Sequence, residues 1–485
     1  MKKKSITSNY IYNLIYQIVV VLIPLLTIPY LTRVLGSTEL GIYSYTYSIA
    51  TVFFLFAALG INTYGQREIA YVQDDIGKRS KVFYELFIIR TIATIFSTLM
   101  LLILSFLVSK YSLYYQIFTI YIIANMFDIT WLYQGMENFK NVAIRSVIVK
   151  IIYVISIFIL VRNQNDIYIY VLLYSITTLI TNLSFWINIK KVVKPINIEF
   201  VDIKKHIKPV LTFFIPQVAV LIYAVLDKTM LGIMITKMDN VYFYEQASYI
   251  DKTILMLITA IGTVMVSKIS YLFQKKDMRK IKEYMNSVIN FVWLLGSALS
   301  FGVCSIIANF VPWYYGGDCL PIINLVYVMS PIIILIGLTN VIGIQYLIPT
   351  KQQNKYIIAV VCGAIINVML NVVLISTFGA IGAAISSIIA EFSILLIELY
   401  YVRSIITFMD VMKPSFKYIL FGTITFIITY SFGSLLGPTV YSTIIQIVIG
   451  FIVYVVLLLI SKDKFLYNNV FGYLKNKKAD DVKQL

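Results

Sequence analysis

Apolar stretches of roughly 20 residues, the length that carries an α-helix across ~30 Å of hydrocarbon, recur fourteen times along this chain of 485 residues. They run from 10 to 32, 41 to 62, 83 to 107, 114 to 134, 143 to 161, 167 to 189, 209 to 235, 246 to 270, 287 to 310, 322 to 348, 357 to 376, 380 to 402, 417 to 436 and 440 to 460. Backbone inside a bilayer has no water to bond, so such a chain folds as a bundle of membrane helices. Composition fits no other class. With 60% hydrophobic residues, 13% charged and a mean hydropathy of +0.85, too few polar side chains exist to clothe a water-soluble surface. The expected fold is an all-α integral membrane protein with 14 transmembrane helices. The start, "MKKKSITSNY", is basic like a signal peptide. The apolar stretch behind it is too long and lacks a small-residue cleavage pattern, so it reads as the first permanent span.

An even number of spans returns the chain to its starting side, and loop charge tells which side that is. Counting Arg145 and Lys417 at the span mouths, 31 Lys and Arg fall in one set of loops and the two tails. The opposite set holds four: Arg33, Lys110, Arg162 and Lys237. Both termini are therefore expected on the cytoplasmic side of the membrane, in a multi-pass protein. Most of the net charge of +17 is topology rather than a nucleic-acid surface. "KKHIKP" and "KKDMRKIK" read as solvated cytoplasmic loops close to lipid head groups.

Internal similarity is faint but consistent. "GIYSYTYSI" at 41 to 49 resembles "VYFYEQASYI" at 241 to 250, and "GMENFKNVAIRS" at 135 to 146 leads into its span as "PTKQQNKYIIAV" does at 349 to 360. Both offsets, about 200 and about 214 residues, fit a parallel duplication of six spans. The expected organisation is an N-terminal six-helix lobe at 1–189, a basic interlobe loop at 190–208, a second six-helix lobe at 209–402, and two further helices with a cytoplasmic tail at 403–485. Two parallel lobes would leave a cleft for a substrate.

Cys304, Cys319 and Cys362 have no ligand spacing, and His206 is the single histidine, so neither a metal site nor a His-based catalytic group is implied. No cofactor is expected. The chemistry lies in charged residues within the spans, which normally face a bundle interior or a watered cavity. Residues equidistant from a helical turn lie at equal depth. About Asp239 and Asn240, that rule levels Asp227 with Lys252 and Lys228 with Asp251. Adjacent residues point ~100° apart on a helix, so one pair, or at least its lysine, is free to face elsewhere. Asp128 is level with Arg90 across the turn at Ser109 and with Lys150 across the loop at Phe139. Glu391 is level with Asn367, and Glu398 follows seven residues on, on the same face. Such groups either tie helices together or serve transport. A surplus of lysine and arginine suits an anion, whereas tying helices needs neutral pairs. For Glu391 and Glu398 the choice is between satisfied hydrogen bonding and coupling to a proton or sodium gradient. Pro24, Pro29 and Pro216 interrupt spans one and seven as hinges or kinks. The 38 tyrosines read mostly as an interfacial belt, with some available to stack on sugar rings.

"IPYLTRVLGSTELGIYSY", "LGINTYGQREIA", "DITWLYQGMENFKNVAIRSVIVKII", "LDKTMLG", "NVIGIQYLIPTKQQNKY" and "FGAIGAAISSIIAE" together resemble the Wzx-type flippases. These are bacterial polysaccharide repeat-unit transporters of the multidrug/oligosaccharidyl-lipid/polysaccharide exporter superfamily. The resemblance implies a MATE/MurJ-like fold of fourteen helices, no enzymatic activity, and alternating-access flipping of an undecaprenyl-diphosphate-linked oligosaccharide to the outer leaflet. It further implies a cationic cavity, an ion gradient, and a polysaccharide polymerase and chain-length proteins as partners. On that basis Lys252, Lys228, Arg90, Lys150 and Arg33 are the substrate-binding candidates. Asp227, Asp251, Asp128, Glu391 and Glu398 are the charge-pair or ion-coupling candidates. The product polymer, whether capsule, O-antigen or exopolysaccharide, is not encoded in these motifs.

Three other readings compete. A drug antiporter of the same superfamily would be expected to carry acidic and aromatic groups for cationic drugs. A membrane-embedded polymerase needs catalytic side chains on a sizeable loop, and "VPWYYGGDCLP" at 311 to 321, with Asp318, is the one outer loop of chemical interest. A non-transporting scaffold for a synthesis complex is compatible with every sequence feature above.

Overall fold

The computed structural model describes residues 6–196, 202–259 and 262–463. Among them the chain is helical throughout, with short 3-10 and π segments and no strand. The helices of the first 196 residues are α1 (Ile6–Ala58), α2 (Ile61–Tyr71), α3 (Ile76–Leu107), α4 (Ser112–Met126), α5 (Thr130–Gly135), α6 (Phe139–Leu160) and α7 (Ile167–Ser184). Next come α8 (Lys204–Met234), α9 (Asp239–Thr259), α10 (Gly262–Gln274), α11 (Met278–Tyr314), α12 (Pro321–Met329) and α13 (Pro331–Thr339). The last are α14 (Gln353–Phe378), α15 (Ala380–Val402), α16 (Phe408–Met412), α17 (Ser415–Leu436) and α18 (Val440–Ile460).

Nine of the described helices are long and apolar enough to cross a membrane, or ten if the pair bent by 45° between α12 and α13 counts as one span. Span four of the sequence reading does not pass that test, because its helix has only 15 residues; spans seven and eight contain residues or side chains outside those described. Large apolar side chains such as Phe96, Phe106, Leu435 and Phe451 lie more than half exposed. Such a surface is stable against lipid rather than water. The protein is a multi-pass membrane protein.

Packing divides the chain into two compact units, Met1–Tyr242 and Phe243–Leu485. In the first, spans one and two form the single element α1, broken at Gly36, where φ is +80°. Thr27 and Thr32 donate their hydroxyls to the carbonyls of Ile23 and Ile28 beside Pro24 and Pro29, so polar side chains engage the backbone where proline interrupts the ladder. Asp75 caps α3 by accepting from the backbone N–H groups of Lys78 and Gly77. Those bonds favour its carboxylate and hold the group below its ordinary pKa, the Lys78 amide most. By packing, α8 belongs with this first unit. Gly232 leaves just enough room for the ring of Tyr45, and the Thr229 and Ser48 hydroxyls meet at 2.8 Å.

In the second unit, α12 and α13 bend at Ser330 and Pro331. Proline removes an amide there, and the Ser330 carbonyl accepts from Ser300 Oγ of α11 at 2.8 Å. The π-helical segment Asn340–Leu347 follows. The two last membrane helices are locked to α11 by amides: Asn309 Nδ2 donates to Gly433 O and Gln446 Oε1, and Gln446 Nε2 donates to Ser305 O. At depth in a bundle, side-chain amides that satisfy one another fix helix register.

Two sequence expectations are corrected here. "KKHIKP" is the first turn of α8 with His206 buried, and in "KKDMRKIK" Asp277 caps α11, which begins at Met278. Loop composition alone hid helix starts whose polar residues have partners in the fold.

Candidate functional site

Each unit has its own set of buried charges. In the first, Arg90 on α3 is wholly buried. Its Nη2 donates to Asn62 Oδ1 at 2.6 Å and lies 3.7 Å from Asp128 Oδ2, while Nη1 donates to the Asp128 carbonyl. Asp128 sits where the backbone leaves the helix between α4 and α5, and that break creates the site. A carbonyl freed from the helical ladder faces the guanidinium. The carboxylate turns to accept from Thr130 N at 2.9 Å and Thr130 Oγ1 at 2.6 Å. Lys150, on α6, is half-buried and makes no hydrogen bond or ion pair with the described residues. Equal depth had set it level with Asp128. The turn of the carboxylate toward Thr130 and Arg90 directs it away from that pairing.

Arg33 is exposed, with Nη1 donating to Pro29 O at 2.8 Å. Asp227 is buried on α8 and Lys228 beside it half-buried. At the start of α8, Glu85 of α3 is fully buried and accepts from Lys205 Nζ, from Asp202 N and, at 2.9 Å, from His206 Nε2. His206 Nδ1 meets the Tyr64 hydroxyl at 2.7 Å. Sequence reasoning missed this cluster because its members lie about 120 residues apart.

Tyrosines form a second missed feature. Tyr43, Tyr47, Tyr121, Tyr153, Tyr170 and Tyr174 converge inside the first unit, with ring centroids 4.9 to 6.4 Å apart in the closest pairs and the Tyr47 and Tyr174 hydroxyls at 2.8 Å. These six rings pack on one another. Tyr43 with Tyr47 and Tyr170 with Tyr174 stand four apart, on one helix face each, which was the available signal.

In the second unit Asp251 is buried, and neither of its oxygens has a hydrogen-bond partner among the described residues. Lys252 is exposed. On α15, Glu391 is 5% and Glu398 0% exposed, and both Glu398 oxygens lack a partner. Asn371 Nδ2 donates to Asn367 Oδ1 across one turn of α14. Among the described residues no cluster of three or more His, Cys, Asp or Glu could hold a metal ion.

A helical membrane bundle with buried charges in each of two units shares its fold with solved structures of the MurJ and MATE type. The solved structure described as "Lipid II flippase MurJ, inward closed conformation" superposes with a TM-score of 0.70 at 18% identity, covering 96% of this chain and 100% of that one. An inward-facing multidrug resistance MATE family transporter of the MOP superfamily gives 0.60 at 15% identity, covering 83% and 95%. The family model described as "Polysaccharide biosynthesis protein" matches residues 6–272, more than half of the chain, and the chain belongs to that family. A protein of Escherichia coli (strain K12) named "Putative O-antigen transporter" is 24% identical over 416 residues, 83% of this chain and 98% of the relative. One of the same name from Shigella dysenteriae is 25% identical over 392 residues, 79% and 96%.

Proposed function

We propose that this protein flips undecaprenyl-diphosphate-linked oligosaccharide repeat units from the cytoplasmic to the outer leaflet of a bacterial plasma membrane, for surface polysaccharide synthesis. Both termini face the cytoplasm, and the six-span lobes alternate access with an ion gradient as the energy source. The family, the relatives named for O-antigen transport and the flippase fold support this reading. The single observation that carries it toward an anionic substrate is Lys150. It is a half-buried ammonium on α6 that no acid among the described residues neutralises, in the same unit as an Arg90 already committed to Asp128 and Asn62. A cation held without a partner in a low-dielectric setting is costly, and an incoming diphosphate would offset that cost. Arg33 and Lys228 in the first unit and Lys252 in the second are the further cationic candidates, with Asp227 and Asp251 as acidic candidates in the respective units, and a polymerase would take the product.

The test is polymer export in a strain deleted for its own transporter. Lys150→Glu should reduce export at least tenfold at equal membrane abundance, since one charge-assisted contact contributes about 1.5–3 kcal/mol. Lys150→Arg should retain most of it. Full export by Lys150→Glu would remove the lysine from the substrate path.

A further inference from the structure

Glu398 is a carboxyl group that no described residue bonds. It lies on α15 four residues before the helix ends at Val402, yet is 0% exposed, and neither oxygen has a hydrogen-bond partner. Gly343 and Tyr356 lie against it. A Cβ built on Gly343 would come within 2.4 Å of Glu398 Oε1 and 2.6 Å of Tyr356 Cδ2, so the glycine backbone and the tyrosine ring edge fill the space around the carboxyl. Gly343 belongs to the π-helical segment Asn340–Leu347. Such segments form where a helix admits an alternative geometry, frequently at functional sites.

The titratable groups that face Glu398 are few. Glu391 stands two turns away on the same helix, and Tyr356 of α14 is within electrostatic reach of both acids. Tyr346, from the π segment, turns to Gln352 and Thr350. The basic groups of that end are engaged elsewhere. Lys355 Nζ donates to Gln352 Oε1 at 2.7 Å and lies over the Tyr401 ring, while the Arg403 guanidinium lies over Tyr400.

A carboxylate anion is not held in such a pocket, because it would be desolvated with neither donor nor counter-charge. A bound hard cation needs several oxygens around it, whereas ring carbons and a glycine backbone close on this one. We propose that Glu398 is a proton-binding site. Its carboxyl carries a proton in this conformation and loses it to water when the π-helical segment withdraws. The O–H bond breaks, its electron pair stays on the carboxylate, and the proton passes to the aqueous phase. The coupling of this step to substrate movement rests on the transport reading above, while the protonation itself does not.

The experiment uses the full chain in liposomes and reads the protonated-carboxyl infrared band, identified by its shift in deuterated buffer. At neutral pH the wild type should show that band, Glu398→Gln should lose it, and Glu391→Gln should keep the component lost with Glu398. Glu398→Asp, a smaller acid suited to the same pocket, should shift the band rather than remove it if the glutamine variant fails to fold. A spectrum unchanged in both Glu398 variants overturns the proposal. So does thermal stabilisation by sodium chloride, absent with potassium chloride, that disappears in Glu398→Gln, since it makes the ligand sodium. In export assays, protonophore should lower wild-type export severalfold and leave Glu398→Gln at its own reduced level. Undiminished, protonophore-sensitive export by Glu398→Gln overturns the coupling. Absence of wild-type export with the band intact counts against the transport reading alone.

Discussion

Replacing Asp128 by asparagine removes one charge and almost no volume, which makes it a clean probe of the first unit. The asparagine oxygen can still accept from Thr130 N and Thr130 Oγ1, now at 2.9 and 2.6 Å, so the local turn survives. What disappears is the counter-charge 3.7 Å from a guanidinium with no exposure at all. Breaking a buried pair from one side typically costs about 3–5 kcal/mol, because the remaining ion stays desolvated and uncompensated. Here Asn62 Oδ1 and the Asp128 carbonyl still accept from Arg90, so the lower end applies, roughly 3 kcal/mol. For a unit of 242 residues unfolding by itself, at about 2–4 °C per kcal/mol, the melting temperature should fall roughly 6–12 °C. Arg90→Met alone leaves a carboxylate that keeps both Thr130 donors and should cost less. The double variant Asp128→Asn with Arg90→Met should recover part of the loss, since no buried charge remains. Lys150→Gln, which breaks no bond, should shift melting by under about 2 °C. The assay is thermal melting of detergent-purified protein followed by size exclusion. Equal melting of Asp128→Asn and Lys150→Gln, with no recovery in the double variant, would refute the idea that Arg90 depends on Asp128.

Two further outcomes follow from geometry. Gly41→Ala would place its Cβ 2.0 Å from the Met238 carbonyl, a backbone atom that cannot rotate away, and should cost about 1–3 kcal/mol; Gly302→Ala meets nothing within 4 Å and should be neutral or slightly stabilising. Comparing melting temperatures of the two settles whether α1 packs this tightly on the turn before α9. For orientation, in a chain whose Cys304, Cys319 and Cys362 are replaced, a cysteine at Gly317 should label from outside intact cells and one at Lys276 only after permeabilisation. Labelling in the reverse sense would invert the topology.

The sequence by itself determined the class and the all-helical character of the chain, because each is dictated locally. A bilayer demands about 20 apolar residues per crossing and internal satisfaction of every backbone group, and those demands can be read without knowing what packs on what. Equal depth about a turn placed Arg90 and Asp128 at one level for the same reason, and they do meet. Direction is another matter. Whether Asp128 faces Arg90 or Lys150 depends on a helix break at Phe127–Ile129 that no hydropathy pattern records. Whether His206 lies in a wetted loop or against Glu85 depends on α3 and the start of α8 lying side by side. Asp251 and Glu398 have acidic side chains in any reading, but only tertiary packing decides that their oxygens find no donor. Hydropathy is a sum along one helix, whereas the partner of a charge is set by its rotation about the helix axis and by the neighbour it faces. Those are settled when helices pack.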